Sequence, residues 1–117
     1  MYAVIDVETT GLAPRQNRVI EVAVVDVSAD GAVERSWSTL LNPERDLGPQ
    51  DVHGISASDV LFAPTFADIA GHVSAMLTSR VLVAHNIRFD TRFLAAEYDR
   101  LGHAVPSLLI TDCARCN

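Results

Sequence analysis

Tyr2-Ala3-Val4-Ile5-Asp6-Val7-Glu8-Thr9-Thr10-Gly11-Leu12 stands at the head of the chain and decides its fold. From Tyr2 to Val7 the run is apolar and β-branched, the composition of a buried strand. Asp6 and Glu8 lie two apart at its end. A strand repeats every two residues, so both carboxylates leave the same face at the edge of a sheet. Two like charges side by side on a buried face are costly without a cation between them. Two readings follow: a strand end that runs into water, or a pair of oxygen ligands for a hard divalent cation. The next residues favour a site. Thr9 and Thr10 bring hydroxyls, Gly11 allows a sharp turn and a close approach to a ligand, and Leu12 follows with no core to enter.

Working outward, 13–18 is a polar loop and Val19 to Val27 is a second strand, apolar enough to be central. Glu21 interrupts it, either as a further acidic ligand or as an edge or hydrogen-bonded charge. Ser28-Ala29-Asp30-Gly31 signals a hairpin. Ala32 to Leu41 returns as a third strand whose Glu34, Arg35, Ser36 and Ser38 suit an outer position, with Trp37 as a packing residue. Beyond an irregular loop, Ser56 and Asp59 form a capping-box pair. Thr65 caps a helix over Phe66–Leu77, with Phe66, Ile69, Ala70, Val73 and Leu77 at helical spacing and His72 on the surface. Val81–Ala84 is a fourth, buried strand. A helix capped by Asn86 carries Phe89, Phe93, Ala96 and Leu101 as its apolar stripe and ends at Gly102. Leu108–Thr111 is a fifth strand, and Asp112 starts a further helix.

This order predicts a single α/β domain over 1–117, a mixed sheet of about five strands flanked by helices. A right-handed crossover after the third strand sets the fourth beside the first. The helix start at Asp90 then faces Asp6 and Glu8.

The bulk properties narrow the setting. With 117 residues and half of them hydrophobic, the chain supports one core. No apolar run reaches a membrane-spanning length, and Met1 leads straight into the first strand, so neither a membrane span nor a signal peptide is expected. Cys113 and Cys116 cannot make a disulfide framework, which points to the cytoplasm. The net charge of −6 argues against a broad grip on a polyanion, although carboxylates that hold metals would no longer repel one.

Asp6-x-Glu8-Thr9-Thr10-Gly11, then Val52-His53-Gly54-Ile55, then Val83-Ala84-His85-Asn86-x-x-Phe89-Asp90 together resemble the DEDD-type 3′→5′ exonucleases. The subgroup is the DEDDh one that contains the proofreading epsilon subunit of bacterial DNA polymerase III. The resemblance implies a ribonuclease H-like fold and hydrolysis of the terminal phosphodiester with two divalent ions, Mg²⁺ or Mn²⁺. Asp6 would bridge both ions, Glu8 would complete the first site and Asp90 would support the second. One ion lowers the pKa of the attacking water and the other stabilises the leaving oxygen, roughly 4 Å apart. Thr9 and Thr10 would hold the terminal nucleotide, with Gly11 giving the turn, and Leu12 would wedge against the last base. Val52, His53, His85, Asn86 and Phe89 would also touch that nucleotide. The implied partners are the 3′ end of single-stranded DNA, ahead of RNA, and a DNA polymerase.

One part of the family pattern is absent. Its third motif, a histidine followed five residues later by an aspartate, supplies the general base and a ligand of the first metal, and this sequence has no equivalent. The chain reads as the N-terminal two-thirds of the family domain, C-terminally truncated, and is expected to be inactive or weak alone, since a lost base costs about 10²- to 10⁴-fold. The rival reading is a non-catalytic nucleic-acid- or polymerase-binding module of degenerate nuclease fold. Missing later helices would also bare an apolar face through which a homodimer could form. Cys113-Ala114-Arg115-Cys116 has the spacing of a redox pair or half a zinc site, but no second pair accompanies it.

Overall fold

A computed structural model of the chain describes residues 1–48, 53–106 and, as backbone, Leu109–Asp112. The elements run β1 (Tyr2–Thr9), β2 (Val19–Val27), β3 (Val33–Leu40), α1 (Ala57–Val60), α2 (Phe66–Leu77), β4 (Val81–Ala84), α3 (Ile87–Arg100) and β5 (Leu109–Asp112). The five strands form one sheet in the order β3-β2-β1-β4-β5. The first three are antiparallel neighbours, while β4 is parallel to β1 and β5 is parallel to β4. The mixed sheet and the placement of the fourth strand beside the first are those expected from the sequence.

The hairpin between β2 and β3 turns at Ser28–Ala32, where Gly31 takes a φ of +91° that other residues rarely adopt. Polar β3 forms the sheet edge. Trp37 projects from it and packs its ring on His72, at 4.5 Å between centroids, so His72 is exposed but not idle. Ser56 opens α1 with a reciprocal capping box to Asp59, and the Thr65 amide donates to Asp68 at the start of α2. The expected cap on α3 is different: the Asn86 side chain makes no capping bond, and its carbonyl accepts from the amides of Phe89 and Asp90 instead. Asp112 ends β5, and the further helix expected from it lies outside the described residues.

The main core lies on one face of the sheet. Ala3, Ile5 and Val7 of β1 alternate inward with Val22 and Val24 of β2 and Leu82 and Ala84 of β4. They meet Phe66, Ala70, Val73, Met76 and Leu77 of α2 and Ile87, Phe93, Leu94 and Tyr98 of α3. Tyr2 and Val4 of β1, on the other face, stay exposed.

The buried stripe of α3 also departs from the expected one. It runs Ile87, Asp90, Phe93, Leu94, Glu97 and Tyr98, with Phe89, Ala96 and Leu101 only partly covered. Two acidic residues therefore sit on the inward face of the helix. Asp26 is a third buried acid, on β2, with Oδ2 held by Arg35 at 2.6 Å and Arg80 at 3.5 Å. Among the described residues no helix is long and apolar enough to cross a membrane.

Candidate active site

The two inward acids of α3 are seven residues apart, two turns along one face. Each is caught by a strand amide that has no sheet partner. Asp90 Oδ2 accepts from the Val7 N–H at 3.2 Å, and Glu97 Oε2 accepts from the Val19 N–H at 2.9 Å. Pairing between β1 and β4 ends at Val4 and Val83, so Val7 lies past the last rung on that side. On the other side the register slips between Glu8 and Thr9, a bulge of the kind that re-aims side chains at the end of a strand. The helix thus meets the sheet beyond the carboxyl ends of the parallel strands, the usual place for a ligand in such sheets.

Four carboxylates gather there. Asp6 and Glu8 share the outer face of β1, as their spacing requires, with Asp6 exposed and Glu8 half-buried. Glu21 stands directly across from Glu8 on β2. Asp90 approaches from the helix and is 5% exposed. Burial above all, and then the neighbouring charge of Asp6, push the Asp90 carboxyl up to about 6 against the Val7 hydrogen bond. Burial, Asp6 and Glu21 raise Glu8 too, while His53 acts in the opposite direction. Among the described residues no cation pairs with Asp6, Glu8, Glu21 or Asp90.

This donor set fits a hard divalent cation: it is all oxygen, rich in charge and uncompensated. As the side chains stand, no three His, Cys, Asp or Glu groups among the described residues converge tightly enough to hold an ion. Asp90 already accepts from the Val7 amide.

The expected nucleotide contacts divide. Leu12 is 85% exposed and free to touch a ligand, and His85 and Asn86 are exposed at the β4–α3 turn. Phe89 is partly open and packs on Phe93 at 4.9 Å. Thr9 uses its hydroxyl on the Gly11 carbonyl at 2.6 Å. Thr10 is buried, and its hydroxyl donates to Asn17 and accepts from the Arg18 amide, which ties the loop together. Gly11 does permit a close approach, but the group that approaches is the Asn17 side chain, which a Cβ would meet at 2.6 Å. His53 accepts from the Ile55 N–H at Nδ1 and donates from Nε2 to the Leu47 carbonyl, so neither ring nitrogen is free. Val52 lies outside the described residues.

Glu97 was not anticipated. Arg18 clasps it in a fork, Nε at 3.0 Å from both oxygens and Nη2 at 2.8 Å from Oε1. This pair, with the Val19 amide, ties the loop after β1 to α3. Its signal in the sequence is faint: Glu97 keeps helical register with Asp90, on a stripe that reads as apolar only if both are left out.

The chain matches the RNase_T exonuclease family over residues 3–113. The DNA polymerase III epsilon subunit of Treponema pallidum is 36% identical over 98 residues, covering 82% of this chain and 45% of that protein. The epsilon subunit of Rickettsia felis is 36% identical over 110 residues, covering 91% and 48%. The 3′-5′ exonuclease DinG of Bacillus subtilis is 32% identical over 95% of this chain and 12% of its own. The structure of E. coli exonuclease I in complex with a dT13 oligonucleotide superposes with a TM-score of 0.84 at 16% identity, covering 95% of this chain and 27% of that one. That likeness shows the ribonuclease H-like fold. The chain spans about half the length of the epsilon relatives it matches.

Proposed function

Because the chain belongs to the RNase_T exonuclease family, we propose that the crevice at Asp6, Glu8 and Asp90 is a 3′→5′ exonuclease site for the end of a single strand, DNA ahead of RNA. The observation that supports this reading is the meeting of Asp90 with the end of β1, 83 residues from Val7, which brings its carboxyl within interacting range of Asp6 and Glu8. Asp6, Glu8 and Asp90 hold the divalent ions, Mg²⁺ or Mn²⁺, with Glu21 beside them. Bound there, such ions supply Lewis acidity, making water nucleophilic near neutral pH and neutralising charge on the departing oxygen.

The chain's own residues position the strand. Leu12 rests against the terminal base, and His85, Asn86 and the open edge of Phe89 line the opposite side. Contacts of this kind are apolar or stacking and carry little base preference. The epsilon relatives support a DNA polymerase as the partner class, and the oligonucleotide on exonuclease I supports a single-stranded substrate.

A general base is not supplied by the described histidines near the carboxylates. His53 has both nitrogens engaged, His72 lies on Trp37, and His103 follows the far end of α3. His85 is the exposed one, in a position that suits substrate contact. The 117-residue chain alone is therefore expected to hydrolyse DNA weakly or not at all. This same lack favours the second reading, a non-catalytic nucleic-acid- or polymerase-binding module.

Calorimetric titration of Mn²⁺ alongside a degradation assay on a labelled single strand separates the two. Binding abolished by Asp6→Ala, with little or no degradation, supports an exonuclease site lacking its base. Absence of Mn²⁺ binding supports the binding module and sinks the exonuclease site. Robust degradation would show that a residue of this chain serves as the base.

A further inference from the structure

The described arginines divide into two groups by what they touch. Arg18 and Arg100 pair with Glu97, Arg35 and Arg80 with Asp26, and Arg45 with Asp46. Arg15, Arg88 and Arg92 are exposed, and among the described residues none of them has an acidic or carbonyl partner. In a chain of net charge −6, carboxylates are plentiful, so unpaired arginines are not a matter of supply.

Nor do they serve the helix. Arg88 is the second residue of α3, where the helix dipole disfavours a cation. Arg92 is four residues on, which places two like charges on one face, a destabilising arrangement. Their side chains are about 6 Å apart along the axis.

Arg92 and Arg15 line the same open groove, about 770 Å³, whose floor is the apolar surface of Pro14, Ala95 and Ala96 and whose far end carries Asp99. One wall is the loop after β1 and the other is α3. The walls are tied together, because Arg100 Nη2 donates to the carbonyls of Pro14 at 2.8 Å and Asn17 at 3.1 Å. The groove starts at Ala13, next to exposed Leu12, and Arg88 stands one turn up the helix, two residues from Asp90.

We propose that Arg88, Arg92 and Arg15 form a track for the phosphodiester backbone of the strand upstream of the terminal nucleotide, leading from the carboxylate crevice into this groove. The direction of the track rests on the exonuclease reading, while its affinity for a polyanion does not. Guanidiniums along an apolar floor, Arg88 and Arg92 on the α3 wall and Arg15 across from them on the loop wall, suit a single strand: charge follows the phosphates and flat apolar surface receives bases or sugars. The acidic balance of the rest of the chain confines that attraction to one path. The track also explains how an acidic domain would engage more than the last nucleotide.

Fluorescence anisotropy of the 117-residue chain tests the track in EDTA, where the metal site plays no part. The probes are a labelled dinucleotide and a labelled oligothymidylate of about 12 nucleotides. The wild type is expected to bind the longer probe more tightly. The Arg15→Ala/Arg88→Ala/Arg92→Ala variant, which alters exposed side chains only, should keep its thermal midpoint and lose that length advantage. Its slope of log affinity against log salt should fall by about 2, at roughly 0.7 per phosphate contact. Arg35→Ala, at a structural pair, should leave the slope unchanged in whatever fraction folds. Equal affinity and slope in wild type and triple variant would overturn the track, as would no binding of the longer probe at low salt. Failure here with Mn²⁺ binding intact removes only the track, and a track without Mn²⁺ binding removes only the exonuclease site.

Discussion

The main-chain N–H of Val7 donates to Asp90 Oδ2 at 3.2 Å, joining residues 83 apart in the sequence. The bond replaces the rung that β4 would have supplied had it been longer, since that strand ends at Ala84. One carboxylate therefore does two jobs. It satisfies an otherwise unpaired strand amide, and it brings negative charge to within interacting range of Asp6 and Glu8. The site is strained electrostatically because the fold puts an acid where a strand edge needs an acceptor.

That strain has a pH signature in the metal-free chain. The folded-state pKa of Asp90 is about 6, above the ordinary 3.8, so the folded state holds the proton more tightly than the unfolded state does. Its contribution to stability is full below about pH 4 and is lost as pH rises through 6, a difference on the order of 2–3 kcal/mol. Asp30 and Asp59 are held below their ordinary range by hydrogen bonds and act in the opposite sense under more acidic conditions. Asp90→Asn isolates the effect. In EDTA the variant should be more stable than wild type at pH 7, and the gap should close near pH 4. A gap that does not change with pH would refute the assignment.

Metal affinity should follow the same group from the other side. A cation at Asp90 displaces its proton, so Mn²⁺ affinity is expected to climb by up to about tenfold per pH unit below 6 and then level off. Calorimetry at pH 5, 6 and 7 reads this directly, and a flat profile would remove Asp90 from the metal site.

The Arg18–Glu97 fork should matter to stability out of proportion to its distance from the crevice. Glu97 is 1% exposed and Arg18 about a quarter exposed, so the pair is only partly screened. Glu97→Gln keeps the shape but leaves Arg18 without its counter-charge, and a cost of about 2–3 kcal/mol is expected, below that of a fully buried pair. Thermal melting measures it. Because the tie between α3 and the loop after β1 would be weakened, Mn²⁺ affinity should fall as well.

The strands, the hairpin and the approach of the α3 start to the end of β1 were legible in the sequence because they depend on period, turn chemistry and crossover handedness. Less of the site's interior was. Thr10 and His53 sit in motifs that imply ligand contact, yet their polar atoms are spent on Asn17, Arg18, Leu47 and Ile55. Which partner a hydroxyl or imidazole takes depends on loop packing, and no periodicity encodes it. Asn86 illustrates the same point: a good capping residue does not cap when the chain enters the helix at φ −128° and ψ 82°. Glu97 was hidden for another reason, since a buried stripe is ordinarily traced through its apolar members.

Leu12 separates function from folding. At 85% exposure, Leu12→Ala should change stability by less than about 0.5 kcal/mol. Leu41, fully buried, should lose about 2–5 kcal/mol in the same substitution. If Leu12 rests on the terminal base, its alanine variant should bind a short oligonucleotide more weakly while melting at the wild-type temperature. Unchanged binding would leave the exposed leucine without a role at the strand end.

Gly48 and Gly11 make a final contrast, because both lie against the segment that carries Thr10 but resist substitution differently. Gly48 has φ +73°, and a Cβ there would stand 2.0 Å from the Thr10 carbonyl oxygen, a backbone atom that can give way only by moving the strand end. Gly48→Ala should cost about 2–4 kcal/mol and shift Glu8, so that Mn²⁺ affinity falls with stability. At Gly11 the added carbon meets the Asn17 side chain, which can move only by giving up its hydrogen bonds to Thr10, Ala13 and Arg45. Gly11→Ala should therefore cost about 1–3 kcal/mol but, with the strand backbone in place, leave Mn²⁺ affinity near wild type. Paired melting and calorimetry on the two variants would show whether the metal site depends on the position of the strand end, and equal losses of Mn²⁺ affinity in both would argue that it does not.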